Sequence, residues 1–382
     1  MTKMRVLTLA ITCFLALESS LADTVPSFQP LGVLSGYLWS GASDVTPDGS
    51  VVVGASRRYD PYEYEACRWT LDGQIIGLGD LPGGPVQSSA RGASADGNVI
   101  VGFGTHATSR RHAFRWTTSE GMVDLGDFPG GIDNSEAWDV SANGSVVVGF
   151  GDREYASEAF RWSAETGMVG LGYVPGYSSS WADAISSDGT TIVGSGEDGY
   201  GSRQAFRWTA EAGMVGLGDL PGGYWPLDSA AAGVSADGRV VVGRGESSLG
   251  FEAMLWTEDD GMIGLGDLPG GDFYSVAVGV TADGSTIVGE GTTGWGGEAF
   301  LWQERYGMRR MQDVLEDDYG LDLAGWRLIG ANISDDGRLI VGSAENPQGH
   351  REAFLVRIPE PQTLASTMVG ALALGALGRR CR

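Results

Sequence analysis

Seven Asx-Gly dipeptides recur along the chain, at Asp48-Gly49, Asp96-Gly97, Asn143-Gly144, Asp188-Gly189, Asp237-Gly238, Asp283-Gly284 and Asp336-Gly337, with spacings of 48, 47, 45, 49, 46 and 53 residues. A period near 47 holds four short strands, the content of one propeller blade. Asx-Gly is the preferred centre of a tight type I′ hairpin turn. A β-branched apolar run follows each pair, as in Val51-Val52-Val53, Thr191-Ile192-Val193 and Leu339-Ile340-Val341, and a glycine from Gly54 to Gly342 ends the run in every repeat. Such runs suit strands buried on both faces.

The rest of each repeat supplies three more strands. Six residues before the Asx stands a small residue (Ala42, Ala90, Ala137, Ala182, Ala231, Ala277, Gly330), and three before it an apolar one, from Val45 to Ile333. A small residue at one register implies crowding, as on an innermost strand near a propeller axis. A further strand reads Ala-Phe-Arg-Trp at 113–116, 159–162 and 205–208. Its Phe and Trp share one face and are expected to fill the space between blades. Cys67 takes the Phe register in the first repeat and reads as a small buried apolar residue. The fourth element is clearest at 213–223, Gly-Met-Val-Gly-Leu-Gly-Asp-Leu-Pro-Gly-Gly, a short strand and a turn. The repeats begin with a stretch resembling the end of a fourth strand, Leu31 to Gly36, and finish on a third strand, Ala353 to Val356. The first segment therefore completes the last repeat, as in a closed ring, whereas a linear solenoid would want polar caps. The expected fold is an all-β, seven-bladed propeller of four-stranded blades, closed by its N-terminal strand.

Composition sets the class of partner. Net charge is −24, and residues 23–358 carry 20 basic against 47 acidic side chains. Such a surface repels phosphate backbones, so nucleic acid is not expected as a partner. Of three cysteines only Cys67 lies in the body, so no internal disulfide can hold it. Residues 1–22 read as a secretory signal, with Lys3 and Arg5, an apolar run from Val6 to Leu17, and small residues Ser20 and Ala22 before a cut at Asp23. Residues 23–358 form the propeller and 359–382 a tail.

That tail runs Pro359-Glu360-Pro361, an apolar stretch from Leu364 to Leu377, then Arg379, Arg380 and Arg382. The stretch of 14 residues is short against the ~17–25 of a spanning helix. The order of these parts resembles the PEP-CTERM sorting signal of Gram-negative bacteria. The resemblance implies an exosortase-type processing enzyme as partner, and a transmembrane helix that anchors the chain transiently in the inner membrane until the tail is removed. It also implies a secreted or cell-surface location. The body resembles the HAF-type extracellular repeat family through His112-Ala113-Phe114, the Ala-Phe-Arg-Trp strands and the Leu-Gly-Asp-Leu-Pro-Gly-Gly segments. This resemblance covers about residues 31–356, implies an exported propeller-like protein and brings no catalytic residues.

A ligand is expected on the face that carries the connections between second and third strands and between blades. The second-to-third connections hold 9 to 11 variable residues. Aromatic candidates on that face are Tyr59, Tyr62, Tyr64, Tyr200, Tyr224, Trp225, Tyr274 and Trp295, with Trp138 and Trp181 nearer the axis. Flat rings beside acidic groups suit sugars, so the expected function is non-catalytic binding of exopolysaccharide by a monomer. The alternatives are a glycan hydrolase or lyase using axial carboxylates among Asp44, Asp139 and Asp183, or a protein-binding scaffold. No cofactor is expected. His106, His112 and His350 show no standard metal spacing, so no metal is expected either.

Overall fold

The seven repeats fold into seven four-stranded antiparallel sheets, arranged as a ring. The computed structural model describes residues 25–59, 63–108, 110–223 and 228–359. In each of the first six blades the strands follow chain order from the axis outward; Ser135–Val140, Val147–Asp152, Ser157–Ser163 and Gly167–Gly170 form one such blade. The seventh takes Arg327–Ile333, Leu339–Glu345 and Arg351–Arg357 from the end of the chain and Ser27–Gly32 from its beginning. Ser27 pairs with Arg357 and Gly32 with Ala353, which closes the ring as expected. The closing strand lies earlier than Leu31–Gly36: Leu31-Gly32 ends it, as Leu-Gly follows the outer strand in the other repeats.

Two local readings change. The Asx-Gly turns are not type I′, which would need a positive φ at both central residues. Gly49 has φ of 67°, but among the described residues Asp133 is the sole non-glycine in that region. Instead Gly49 N–H donates to the Thr46 carbonyl and Thr46 N–H to that of Val51, a four-residue turn whose last residue is a left-handed glycine. The Asp48 carboxylate accepts from the Ser50 N–H and the Thr46 hydroxyl, and these bonds hold its pKa below the ordinary value. The second correction concerns the glycine after each apolar run. The strand continues through it, as in Val51–Arg57. A Cβ on Gly54 would stand 2.0 Å from the Gly41 carbonyl oxygen, and the same clash, at 1.9–2.0 Å, recurs in all seven blades down to Gly342. The glycines accommodate a one-residue bulge in the innermost strand opposite.

Blades join through seven apolar clusters. Phe114, Phe160, Phe206, Phe300 and Phe354 are fully buried, as are Cys67 and Met254 at the same register. The small-residue register packs against the neighbouring blade: Ala90 meets Val51 and Val53 of the blade before it. The longest spacing, 53 residues, contains an insertion in which Met311–Asp313 and Val314–Asp318 form helical turns. Met311, Leu315 and Leu323 are fully buried there, over the junction of the last two blades.

The tail reading is corrected in part. No helix among the described residues is long and apolar enough to cross a membrane, so the expected transmembrane helix and transient inner-membrane anchoring do not stand. Pro359 is buried at the end of the last described segment, and Glu360, Pro361, Leu364 to Leu377, Arg379 and Arg380 lie outside the described residues.

Ring closure depends on Phe28, whose ring lies 5.0 Å from that of Trp326 and 5.8 Å from that of Phe354. Phe28→Ala should lower unfolding stability by about 2 kcal/mol, less than the ~3–5 kcal/mol of a fully buried phenylalanine. Urea titration checks this, and an unchanged midpoint would mean the closing strand contributes little.

Candidate functional site

The bulge is what aims side chains at the axis. In six blades the extra residue is Ser43, Arg91, Trp138, Asp183, Ala232 or Val278; in the seventh it falls at Ile329. The first six of these line an axial channel of about 620 Å³. A second cavity of about 470 Å³ shares Trp138, Asp183 and Ala232 with it and adds Arg111, Glu136, Trp181, Arg203, Arg244 and Tyr274. At the turn end hydrogen bonds link the blades across the axis: Ala142 N–H donates to the Ser187 carbonyl, and the Ser187 hydroxyl donates to Asp335 of the opposite blade at 2.8 Å. The second cavity is thus the mouth, on the face of the second-to-third turns.

The frame is sevenfold but the chemistry is not. Blades two to five supply the guanidinia and indoles, Arg91, Arg111, Trp138, Trp181, Arg203 and Arg244, whereas blades one and seven offer Ser43, Asp44, Asn332, Asp335 and Ser343. Glu136 accepts from Arg111 at 2.7 Å and from the Trp138 indole N–H at 3.2 Å. The Arg203 guanidinium lies 5.6 Å from the Trp181 ring centroid and 3.3 Å from Glu197. Arg244 pairs with Asp228 at 3.2 Å.

Five carboxylates line the channel, Asp44, Asp139, Asp183, Glu290 and Asp335, and the first three differ in role. Asp44 accepts from Val45 N–H and from Ala93 N–H of the next blade, and Asp139 likewise from Val140 and Ile185. Asn332 bridges similarly, its amide donating to the Ser43 carbonyl across the closing junction. These three side chains clamp adjacent blades. Gly92 lies between two clamps, where a Cβ would stand 3.0 Å from Asp139 Oδ1. Asp183 has no hydrogen bond or ion pair with any described residue. Burial pushes its carboxyl up to about 8, opposed by Arg203 and Arg244. Burial also raises Asp44 to about 6 and, with Asp44 as a nearby like charge, Asp139 to about 8.

Several sequence candidates meet here and others do not. Trp138, Trp181 and Tyr274 line the mouth, Tyr274 edge-on to Phe251 at 6.1 Å. Tyr64 packs 6.2 Å from Phe103. Tyr59, Tyr200 and Trp295 stand on separate turn tips, 80%, 84% and 83% exposed, joined there by Tyr155 at 89%. Tyr62, Tyr224 and Trp225 lie outside the described residues. Most of each expected variable loop is strand: Val241–Ser247 and Gly250–Thr257 leave two residues between them. The arginines were missed, although Arg91 occupies the same variable register as Trp138 and Asp183.

Histidine chemistry is structural. His112 lies 2.9 Å from Asp124 and 3.0 Å from Asp133 through its two ring nitrogens, stacked on His106 at 4.9 Å. At this register other blades carry a glutamate that accepts a loop N–H, as Glu158 does from Gly172. In the His112 blade Asp124 accepts from Gly126 instead. No group of three His, Cys, Asp or Glu among the described residues is placed to hold a metal.

No protein-family model matches the chain, and no curated protein matches it. Solved structures do. An oligogalacturonate lyase in complex with manganese aligns at TM-score 0.56 and 12% identity, over 89% of this chain and 95% of that one. A second oligogalacturonate lyase, from Vibrio parahaemolyticus, gives 0.53 and 10%, over 88% and 98%. The β-propeller domain of the Trilobed protease from Pyrococcus furiosus, described as having an open velcro topology, gives 0.53 and 10%, over 84% and 95%. The chain spans 65% of the TolB from Acinetobacter baumannii, at a TM-score of 0.47. At these identities the likeness is one of fold: the chain is a seven-bladed β-propeller of a shape shared with lyases and other propeller proteins.

Two expectations follow. Asp44 and Asp139 bind protons more readily folded than unfolded, so their contribution to stability is complete below the ordinary carboxyl value of 3.8. It is lost as pH rises through about 6 for Asp44 and about 8 for Asp139. The urea midpoint should fall between about pH 4 and pH 8.5, and Asp139→Asn should remove part of the upper fall, the rest belonging to Asp183, whose carboxyl is also raised to about 8. A midpoint rising with pH over this range would contradict the assignment. Separately, burial pushes the Cys67 thiol up to about 12. Peptide mass analysis after maleimide treatment at pH 8 should find Cys67 unlabelled in the native protein and labelled in urea.

Proposed function

We propose that this protein binds glycan chains at the mouth of its axial channel, with the exposed turn-tip aromatics as further contacts. The observation that carries this reading is the grouping of Trp138 and Trp181 with Glu136, Asp183 and Arg203 on one arc of an open cavity. Indole faces match the C–H faces of sugars, and the surrounding carboxylates and guanidinia match their hydroxyls. The resemblance to HAF-type extracellular repeats agrees with it. A sevenfold scaffold with one chemically distinct arc also suits a ligand that enters in one orientation.

A second reading is favoured by Asp183. Its carboxyl is uncommitted to any described partner, and its raised pKa suits proton transfer near neutral pH. The two lyases among the similar structures support it only through their common fold. Asp44 and Asp139 are engaged in joining blades and Asp335 accepts from the Ser187 hydroxyl, while Asp183, unlike Glu290, lines both cavities, which makes it the axial carboxylate of choice for catalysis.

Affinity electrophoresis in gels containing bacterial exopolysaccharide tests both readings. The protein should be retarded, and Trp138→Ala or Trp181→Ala should weaken retardation by about fivefold, in line with ~1 kcal/mol per lost ring contact. Absence of retardation, or full retardation by both variants, would sink the binding reading. Size-exclusion chromatography of the recovered polysaccharide separates the second: shortening that Asp183→Asn abolishes supports catalysis, and unchanged length supports recognition alone.

A further inference from the structure

Arg91 stands out in a body with 20 basic and 47 acidic side chains. It leaves the bulge of the innermost strand Ser89–Ala93 and is exposed within the channel. It makes no hydrogen bond or ion pair with any described residue. Its guanidinium carbon lies 5.4 Å from the Phe103 ring centroid, and that of Arg111 lies 4.6 Å from the same ring. One buried phenylalanine, 3% exposed, therefore has two cations around its ring, near enough for Arg111 to repel Arg91.

The acid nearby is already engaged. Glu136 is bonded to Arg111 and to the Trp138 indole. Two guanidinia thus share one carboxylate, and only Arg111 is hydrogen-bonded to it. Partial desolvation lowers the Arg91 pKa from its ordinary value; Glu136 opposes this, and repulsion by Arg111 adds to it. An arginine stays charged regardless. Like charges held together where solvent is limited are relieved by an anion, and a guanidinium fork matches a carboxylate or sulfate through two parallel hydrogen bonds. Trp138 takes the same bulge position one blade on and lines both cavities, so a sugar ring lying on it would place a substituent toward Arg91.

We propose that Arg91, held beside Arg111 on Phe103, seats an anionic substituent, so that the channel selects acidic saccharides carrying carboxylate or sulfate over neutral ones. This rests on the glycan-binding reading above and names its ligand class.

Isothermal titration calorimetry of the whole protein tests the seat with three probes: a neutral glucan oligosaccharide, a uronic-acid oligosaccharide and a sulfated oligosaccharide. At least one acidic probe should bind about tenfold or more tighter than the neutral one, an advantage that shrinks as salt rises. The tighter of the two identifies the anion. Arg91→Ala should remove about tenfold of acidic affinity while leaving neutral affinity within about twofold, and Arg91→Lys should recover part of it. The urea midpoint of Arg91→Ala should fall no further than loss of the Phe103 ring contact explains, since Arg91 makes no hydrogen bond or ion pair with a described residue. Equal affinity for neutral and acidic probes, or an Arg91→Ala variant with full acidic affinity, overturns the anion seat and leaves glycan binding intact. Binding of none of the three overturns both.

Discussion

The contact between each innermost-strand carbonyl and a glycine on the second strand governs the rest of the molecule. A carbonyl oxygen occupies the space where a Cβ would sit, 1.9–2.0 Å from its ideal position, in all seven blades. Only glycine permits that approach, and the approach lets the inner strand carry an extra residue. The extra residue turns toward the axis, so a backbone constraint repeated seven times creates one variable side-chain position per blade. Six of the seven fill the channel, and the variation among Ser43, Arg91, Trp138, Asp183, Ala232 and Val278 is where a uniform frame acquires distinct chemistry.

Two devices turn these blades into a ring. Apolar clusters between neighbours provide most of the cohesion, with a buried phenylalanine or its substitute in each. The polar clamps act at the axis, where space is least: Asp44, Asp139 and Asn332 each tie a blade to the next, and Gly92 and Gly279 leave room for them. Burying carboxylates there raises their pKa values, because the charged form loses hydration that two N–H donors only partly replace. The axis therefore holds titratable groups with different duties, among them Asp44 and Asp139 joining blades and Asp183 facing open space.

Much of this was legible in the chain. The Asx-Gly spacing counts the blades, the Ala-Phe-Arg-Trp strands name the buried aromatics, and the offset between Leu31-Gly32 and Ala353 to Val356 reveals the closure. The turn type was misread because Asp-Gly alone does not report the φ of its aspartate; Thr46 and Ser50, by binding Asp48, decide the longer turn. The glycine after each apolar run looked like a strand end because its partner, the Gly41 carbonyl, lies on the other strand. The site was half legible: Trp138 and Trp181 were found by their variable registers, while Arg91 at the same register as Trp138 was passed over.

The sequence by itself determined blade number, strand order and core, because each follows from a local pattern that repeats and so averages out local ambiguity. Only the tertiary structure decided which residues face one another across the channel. Arg91, Phe103 and Arg111 meet through pairing between strands, and Asp183 comes under the electrostatic influence of Arg203 on its own blade and Arg244 on the next. Such meetings depend on bulge direction and ring closure, neither of which is encoded in any short stretch of chain.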